Sequence, residues 1–188
     1  MASNHVGLGV IAWVLSLLQI ILLAAIFGFF YAYACSVMWG LDLAGGVAAI
    51  EAMNGINTVV RNAAFAPAFF GPIPVGLATI VVLWIAKLRL PTIWFSAAWL
   101  VYIFGGFLIT AMGSVPMNRD LLATDIPSDL QLANDLWNTY SADWQRLNWA
   151  RTFCSGLAFV LAVLGFFSLG NINSGRLQTS NHRILPRA

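Results

Sequence analysis

Four unbroken apolar stretches, at about 8–38, 63–86, 92–113 and 149–170, hold most of the hydrophobic residues, and every Asp, Glu, Lys and Arg except Arg151 lies outside them. Each stretch is long enough to cross a hydrocarbon core of ~30 Å as a helix. The pattern therefore predicts an all-α integral membrane protein, a four-helix up-down bundle formed by a single domain over 1–170. The first stretch is too long for a cleavable signal, and it lacks a basic n-region and a small-residue cleavage motif. It is read as the first span. Lys87-Leu88-Arg89-Leu90-Pro91 makes a tight basic turn between the second and third spans, and Val115-Pro116 is expected to end the third, because proline cannot continue the hydrogen-bond ladder. The segment 171–188 is polar, basic and rich in Asn and Ser, and reads as a disordered tail.

The two long connections carry a different period. Over about 44–61, Glu51, Asn54, Asn57, Thr58 and Arg61 share one arc at helical spacing, with Met53, Ile56, Val59 and Val60 opposite. That predicts an amphipathic helix leading into the second span. Over about 128–148, Ser128 is placed to cap a helix with Asp129 in its first turn, and this helix is expected to run into the fourth span. Along it Trp137, Tyr140, Trp144, Asn148 and Arg151 recur every three or four residues and so line one face. In the third span Ala98, Tyr102, Gly106, Thr110 and Ser114 recur every four, a mostly small stripe that reads as a close helix-packing face; the alternative has Thr110 and Ser114 facing a cavity.

Composition agrees: 60% of residues are hydrophobic and 9% charged, far from soluble norms. The net charge of +2 conceals an asymmetry. Lys87, Arg89, Arg176, Arg183 and Arg187 fall on the side of the termini with no acid, whereas Asp42, Glu51, Asp120, Asp125, Asp129, Asp135 and Asp143 fall opposite with Arg61, Arg119, Arg146 and Arg151. The basic excess predicts both termini in the cytoplasm and the amphipathic helices on the non-cytoplasmic side. Basic residues never gather beside aromatics, which argues against nucleic-acid binding. Cys35 and Cys154 form no CxxC pair; they read as buried free thiols, with a disulfide as the alternative. His5 and His182 lie in opposite tails, leaving no histidine in the bundle for haem, copper or diiron, and no glycine-rich nucleotide loop occurs.

Arg151 is the sharpest single residue, since an arginine two positions into an apolar run is costly unless it snorkels, pairs or faces a polar cavity. One reading makes it an interfacial anchor on lipid phosphate or on Glu51. The other joins Arg151 with Asn148 and Asn118 to hold an oxyanion or carbonyl of an apolar ligand.

The same residues carry a resemblance. Ser36, Val37 and Met38 are followed by Ala-Met-x-x-Ile-Asn (Ala52, Met53, Ile56, Asn57), Arg-Asn-x-x-Phe (Arg61, Asn62, Phe65) and Val-Pro-x-Asn (Val115, Pro116, Asn118). The series ends with Trp137, Tyr140, Trp144, Asn148 and Arg151. From about Gly28 to Gly170 the chain resembles the anthrone-oxygenase-like membrane family, with Asn54 where the family often has glutamine. The resemblance implies a four-helix membrane fold and, as in relatives of assigned activity, conversion of polycyclic anthrones to anthraquinones without a metal or flavin. An anthrone methylene is acidic enough to form a carbanion that reacts directly with dioxygen, so the protein need only bind it, take a proton and stabilise the oxyanion. Arg151, Asn118 and Asn148 suit the last task. Glu51 and Asp42 are the only acids close to a span and so the only carboxylate bases in prospect. Trp137, Tyr140 and Trp144 are expected to stack on a flat ring system, with Asn57 and Met53 as further ligand contacts. Two other readings stay open: a non-catalytic accessory subunit of a homo-oligomer or larger membrane complex, and a lipid- or quinone-binding module.

Overall fold

The computed structural model describes the backbone of residues 2–182 and the side chains of residues 7–171. Among them all regular structure is helical. Helix α1 (Ala2–Ala32) continues through a π-helical turn at Tyr33–Val37 into α2 (Met38–Ala44). α3 (Gly46–Val59), α4 (Phe65–Phe70), α5 (Pro72–Ile85) and α6 (Arg89–Val101) follow. Two π-helical segments, Tyr102–Leu108 and Thr110–Ser114, then lead into α7 (Val115–Ala123), and α8 (Leu130–His182) closes the chain.

Three continuous helices are long and apolar enough to cross a membrane: Gly7–Ala44, Arg89–Ala123 and Leu130–Asn171. The stretch expected as the second span is divided at Gly71, leaving Pro72–Ile85 as a shorter apolar helix. Gly71 N–H still bonds Pro67 O at 2.9 Å and Val75 N–H bonds Gly71 O at 3.1 Å, so the ladder carries on through the break. α1 packs on α5 and α8, and α6 packs on α5 and α8, giving a ring of four neighbours. Their shared core includes Leu23, Ile26, Phe95, Ala98 and Ala158, while Val14, Ile21, Phe104, Phe153 and Phe167 point outward, each at least half exposed. Large apolar side chains around the outside are what a bilayer, rather than water, accommodates.

Several boundaries differ from the sequence reading. Pro116 does not end the third helix, which runs on to Ala123. A proline clashes with the carbonyl four residues back, and the wider π-helical turn at Thr110–Ser114, placed just before it, makes room for the ring. The cap of α8 is Asp129 rather than Ser128: its Oδ1 accepts from Gln131 N–H at 2.8 Å and Leu132 N–H at 3.0 Å. The backbone remains helical to His182, through much of the expected tail; residues 183–188 lie outside the described residues. Cys35 and Cys154 are free thiols.

Beyond one end of the four-helix ring, α2, α3, α7 and the start of α8 form a second layer around Met38, Ile50, Leu121 and Trp137. Gly45 sets its entry, with φ 85° and ψ 153°, backbone angles essentially reserved for glycine. Gly46 then brings α3 against α8, its N–H donating to Asn134 Oδ1 at 2.7 Å. Asp42 fastens the same corner, its carboxylate accepting from Trp137 Nε1 at 2.9 Å, Ser141 Oγ at 2.7 Å and Gln145 Nε2 at 3.0 Å. At the far end of α3, Asn62 Oδ1 accepts from Ala64 and Phe65 N–H at 2.9 and 3.0 Å while its amide donates to Val59 O at 2.8 Å. One side chain thus ends α3 and starts α4.

Candidate functional site

A cavity of about 290 Å³ lies where the two cores meet. Its walls come from the C-terminal half of α1 with the adjoining π turn (Phe29, Phe30, Tyr33), from α3 (Met53, Ile56, Asn57), from α4 (Phe65, Phe69, Phe70), and from the polar side of the third helix and α8. The aromatic part is continuous: Phe29 meets Phe65 at a centroid distance of 4.9 Å, Phe65 stacks on Phe69 at 5.4 Å, and Tyr33 meets Trp144 at 5.4 Å.

Arg151 forms the polar floor. It is 3% exposed, and its guanidinium carbon lies 4.7 Å from the Phe30 ring centroid and 4.8 Å from that of Trp144, a sandwich in which both π faces attract the cation. Nη2 donates to Asn148 Oδ1 at 3.0 Å, and Nη1 lies 3.4 Å from Thr110 Oγ1. Asn148 is itself fixed, donating from Nδ2 to Phe30 O at 3.0 Å. Nε has no partner. Among the described residues the only salt bridge is the surface pair Arg146–Asp143, so Arg151 is buried without a carboxylate.

The opposite wall is an amide hub. Asn118 Oδ1 accepts from Tyr140 Oη at 2.8 Å and Trp144 Nε1 at 2.9 Å, while Nδ2 donates to Asn57 Oδ1 at 2.8 Å. Asn57, 8% exposed, keeps an unpartnered Nδ2, and Ser114, 1% exposed, an unpartnered Oγ. Both line the same cavity as Arg151. Replacing Asn118 with alanine would strand the Tyr140 and Trp144 donors together. We expect Asn118→Ala to cost about 1–3 kcal/mol per stranded donor, seen as a lowered unfolding temperature, with Asn118→Asp, which keeps the acceptor, falling less.

The residues singled out in the sequence therefore separate. Arg151, Asn118, Asn57, Met53 and Trp144 line the cavity. Asn148 and Tyr140 stand behind it, holding Arg151 and Asn118 in place. Trp137 is bonded to Asp42 in the second layer, and Glu51 is exposed and outside the walls. Sequence reasoning passed over Phe29, Phe30 and Tyr33, which line the cavity from α1 and its π turn but sit in a run too uniformly apolar for spacing to mark an inward face. It also left Thr110 and Ser114 with two roles; both line the cavity. No group of three His, Cys, Asp or Glu among the described residues could hold a metal ion.

The family model described as anthrone oxygenase matches residues 61–161. The chain belongs to the anthrone oxygenase family. No curated protein and no solved structure matches it. The segment shared with the anthrone oxygenase family carries Phe65, Phe69, Ser114, Asn118, Trp144 and Arg151, so the polar floor and the Asn118 centre of the amide hub fall within it, while Asn57 lies just before it. Its long apolar helices make this anthrone oxygenase family member an integral membrane protein.

Proposed function

We propose that the protein is a cofactor-independent oxygenase that binds a flat polycyclic ketone of the anthrone type and converts its activated methylene to a carbonyl. The observation that carries this reading is the pairing of an aromatic enclosure with two buried, unpartnered donors, Arg151 Nε and Asn57 Nδ2, on its wall. Unpaired buried donors are rare and usually have a ligand or water to meet. Loss of a methylene proton spreads negative charge onto the ketone oxygen, and fixed donors in a site shielded from water stabilise such an oxyanion strongly. The carbanion then adds dioxygen, and loss of water leaves the quinone: one CH2 and one O2 become one C=O and one H2O.

In the same reading the chain crosses the membrane four times, with the divided segment Phe65–Ile85 as the second crossing. Both termini and the Lys87–Arg89 turn lie in the cytoplasm, and the cavity lies in the outer half. The distribution of Lys and Arg supports this direction. Membrane lipid then surrounds the outward apolar side chains. An accessory subunit or a lipid-binding module would have the same spans and no reaction.

Oxygen uptake by the purified, detergent-solubilised protein with 1,8-dihydroxyanthrone separates these readings. The expected result is uptake above the protein-free rate, with one quinone formed per O2 consumed. Equal rates with and without protein would remove the oxygenase.

A further inference from the structure

We infer that the cavity takes its ligand as an anion, whose deprotonated oxygen is the counter-charge that Arg151 lacks. This rests on the preceding reading that the cavity is a ligand site, and adds the ionisation state in which the ligand is held. A guanidinium 3% exposed has given up most of its hydration, and a buried charge without a partner is strongly unfavourable. Here the protein supplies neutral compensation only: two aromatic faces, the Asn148 carbonyl oxygen and a long contact to Thr110.

Among the described residues the cavity wall carries no carboxylate. α1 and its π turn contribute Phe30 and Tyr33, α3 contributes Met53 and Asn57, and α8 contributes Trp144 and, behind the wall, Tyr140. α7 contributes Val115 and Asn118, the π-helical segment before it Thr110 and Ser114, and the remaining charged group on the wall is a second cation, Arg61. The two acids close to a span are engaged elsewhere or lie outside the walls. Asp42 is taken by Trp137, Ser141 and Gln145, and Glu51 is exposed outside the walls. A cavity with two guanidinium groups and no carboxylate selects an anion.

The ligand class follows: a planar enol or phenol whose conjugate base spreads charge over the ring system. Such a substrate surrenders its proton to solvent as the enolate binds, so no carboxylate base is needed on the wall. The balance closes without one: enolate plus O2 gives quinone plus hydroxide, the carbon giving up four electrons and dioxygen taking them, ending as the carbonyl oxygen and the hydroxide. Turnover also converts a charged ligand into a neutral one, removing the counter-charge and favouring release.

The test uses 1,2-dihydroxyanthraquinone, a flat phenol already at the oxidation level of the product, whose visible band moves to longer wavelength when it ionises. The full-length protein in detergent is titrated with pH against protein-free micelles of the same detergent. Bound dye is expected to ionise about one to three pH units lower than dye in micelles, the shift a neighbouring guanidinium imposes on an acid. Arg151→Gln should return the midpoint to the micelle value. A wild-type midpoint equal to that in micelles overturns the inference without any variant, and so does an unchanged shift in Arg151→Gln. Oxygen uptake without a dye shift would leave the oxygenase standing and the anion proposal refuted. A dye shift without oxygen uptake would do the reverse.

Discussion

Replacing Arg151 with methionine is expected to lower oxygen uptake on an anthrone by about 10²–10³-fold, the range seen when one donor to a developing oxyanion is removed. The unfolding temperature should stay within a few degrees of wild type. The two outcomes belong together. Methionine fills a similar volume between Phe30 and Trp144 and relieves the desolvation of an unpaired cation, which is worth several kcal/mol. Against that, Asn148 Oδ1 loses its donor, at about 1–3 kcal/mol, and the contacts of the cation with two rings go, at about 2 kcal/mol or more. These terms nearly offset. A residue kept for structure would show the opposite, with heavy destabilisation and activity following the folded fraction. Differential scanning fluorimetry and an oxygen electrode on one preparation distinguish the two, and an active Arg151→Met would show that the guanidinium does not act on the reaction.

The second large effect is structural. Gly46→Ala should destabilise the protein by about 1–3 kcal/mol, toward the upper end, because overpacking is worst where nothing can yield. The added methyl would run into the Ala133 carbonyl and come within 2.6 Å of Asn134 N. Those are main-chain atoms inside α8, not side chains that can swing away. Relief requires α3 to lift from α8, which loses the Gly46 N–H bond to Asn134 and moves Met53 and Asn57, the cavity residues farther along α3. We expect a lower unfolding temperature together with weaker ligand binding. Gly55→Ala, on the same helix with open space at the new methyl, serves as the control and should be neutral or slightly stabilising.

The sequence was most informative where a residue type is expensive in its setting. Arg151 stood out because charge is rare inside an apolar run, and it forms the floor of the cavity. Asn57 and Trp144 were legible from helical spacing and Asn118 from the Val-Pro-x-Asn segment after the third span, and all three also line it. The aromatic wall from α1 was not: Phe29, Phe30 and Tyr33 sit in a run so uniformly apolar that period cannot tell an inward face from a lipid-facing one. Trp137 was grouped with the site because it shares an arc with its residues, and Glu51 because it is one of two acids close to a span. Spacing cannot reveal that Asp42, from a distant segment, accepts the Trp137 indole proton. The end of the third helix was misplaced for a related reason, whereas the continuous run of the outer helix into the fourth span was expected and is observed. Pro116 looks like an interruption locally, and only the π-helical turn just before it explains why the helix runs through to Ala123.

That π-helical stretch of the third helix also bears on how such a protein arises. A π turn holds one residue more than the α turn it replaces, and the two segments between Tyr102 and Ser114 lie directly before Asn118 in the chain. The π turn therefore absorbs one residue locally: deleting it lets the turn close to an α turn and leaves the residues beyond it facing as before. The same deletion in the α-helical stretch from Val115 to Asn118 would instead rotate Asn118 by ~100° away from Asn57, Tyr140 and Trp144. Within such a lineage a codon can be gained or lost in the π-helical stretch while the polar chamber beyond it keeps its shape.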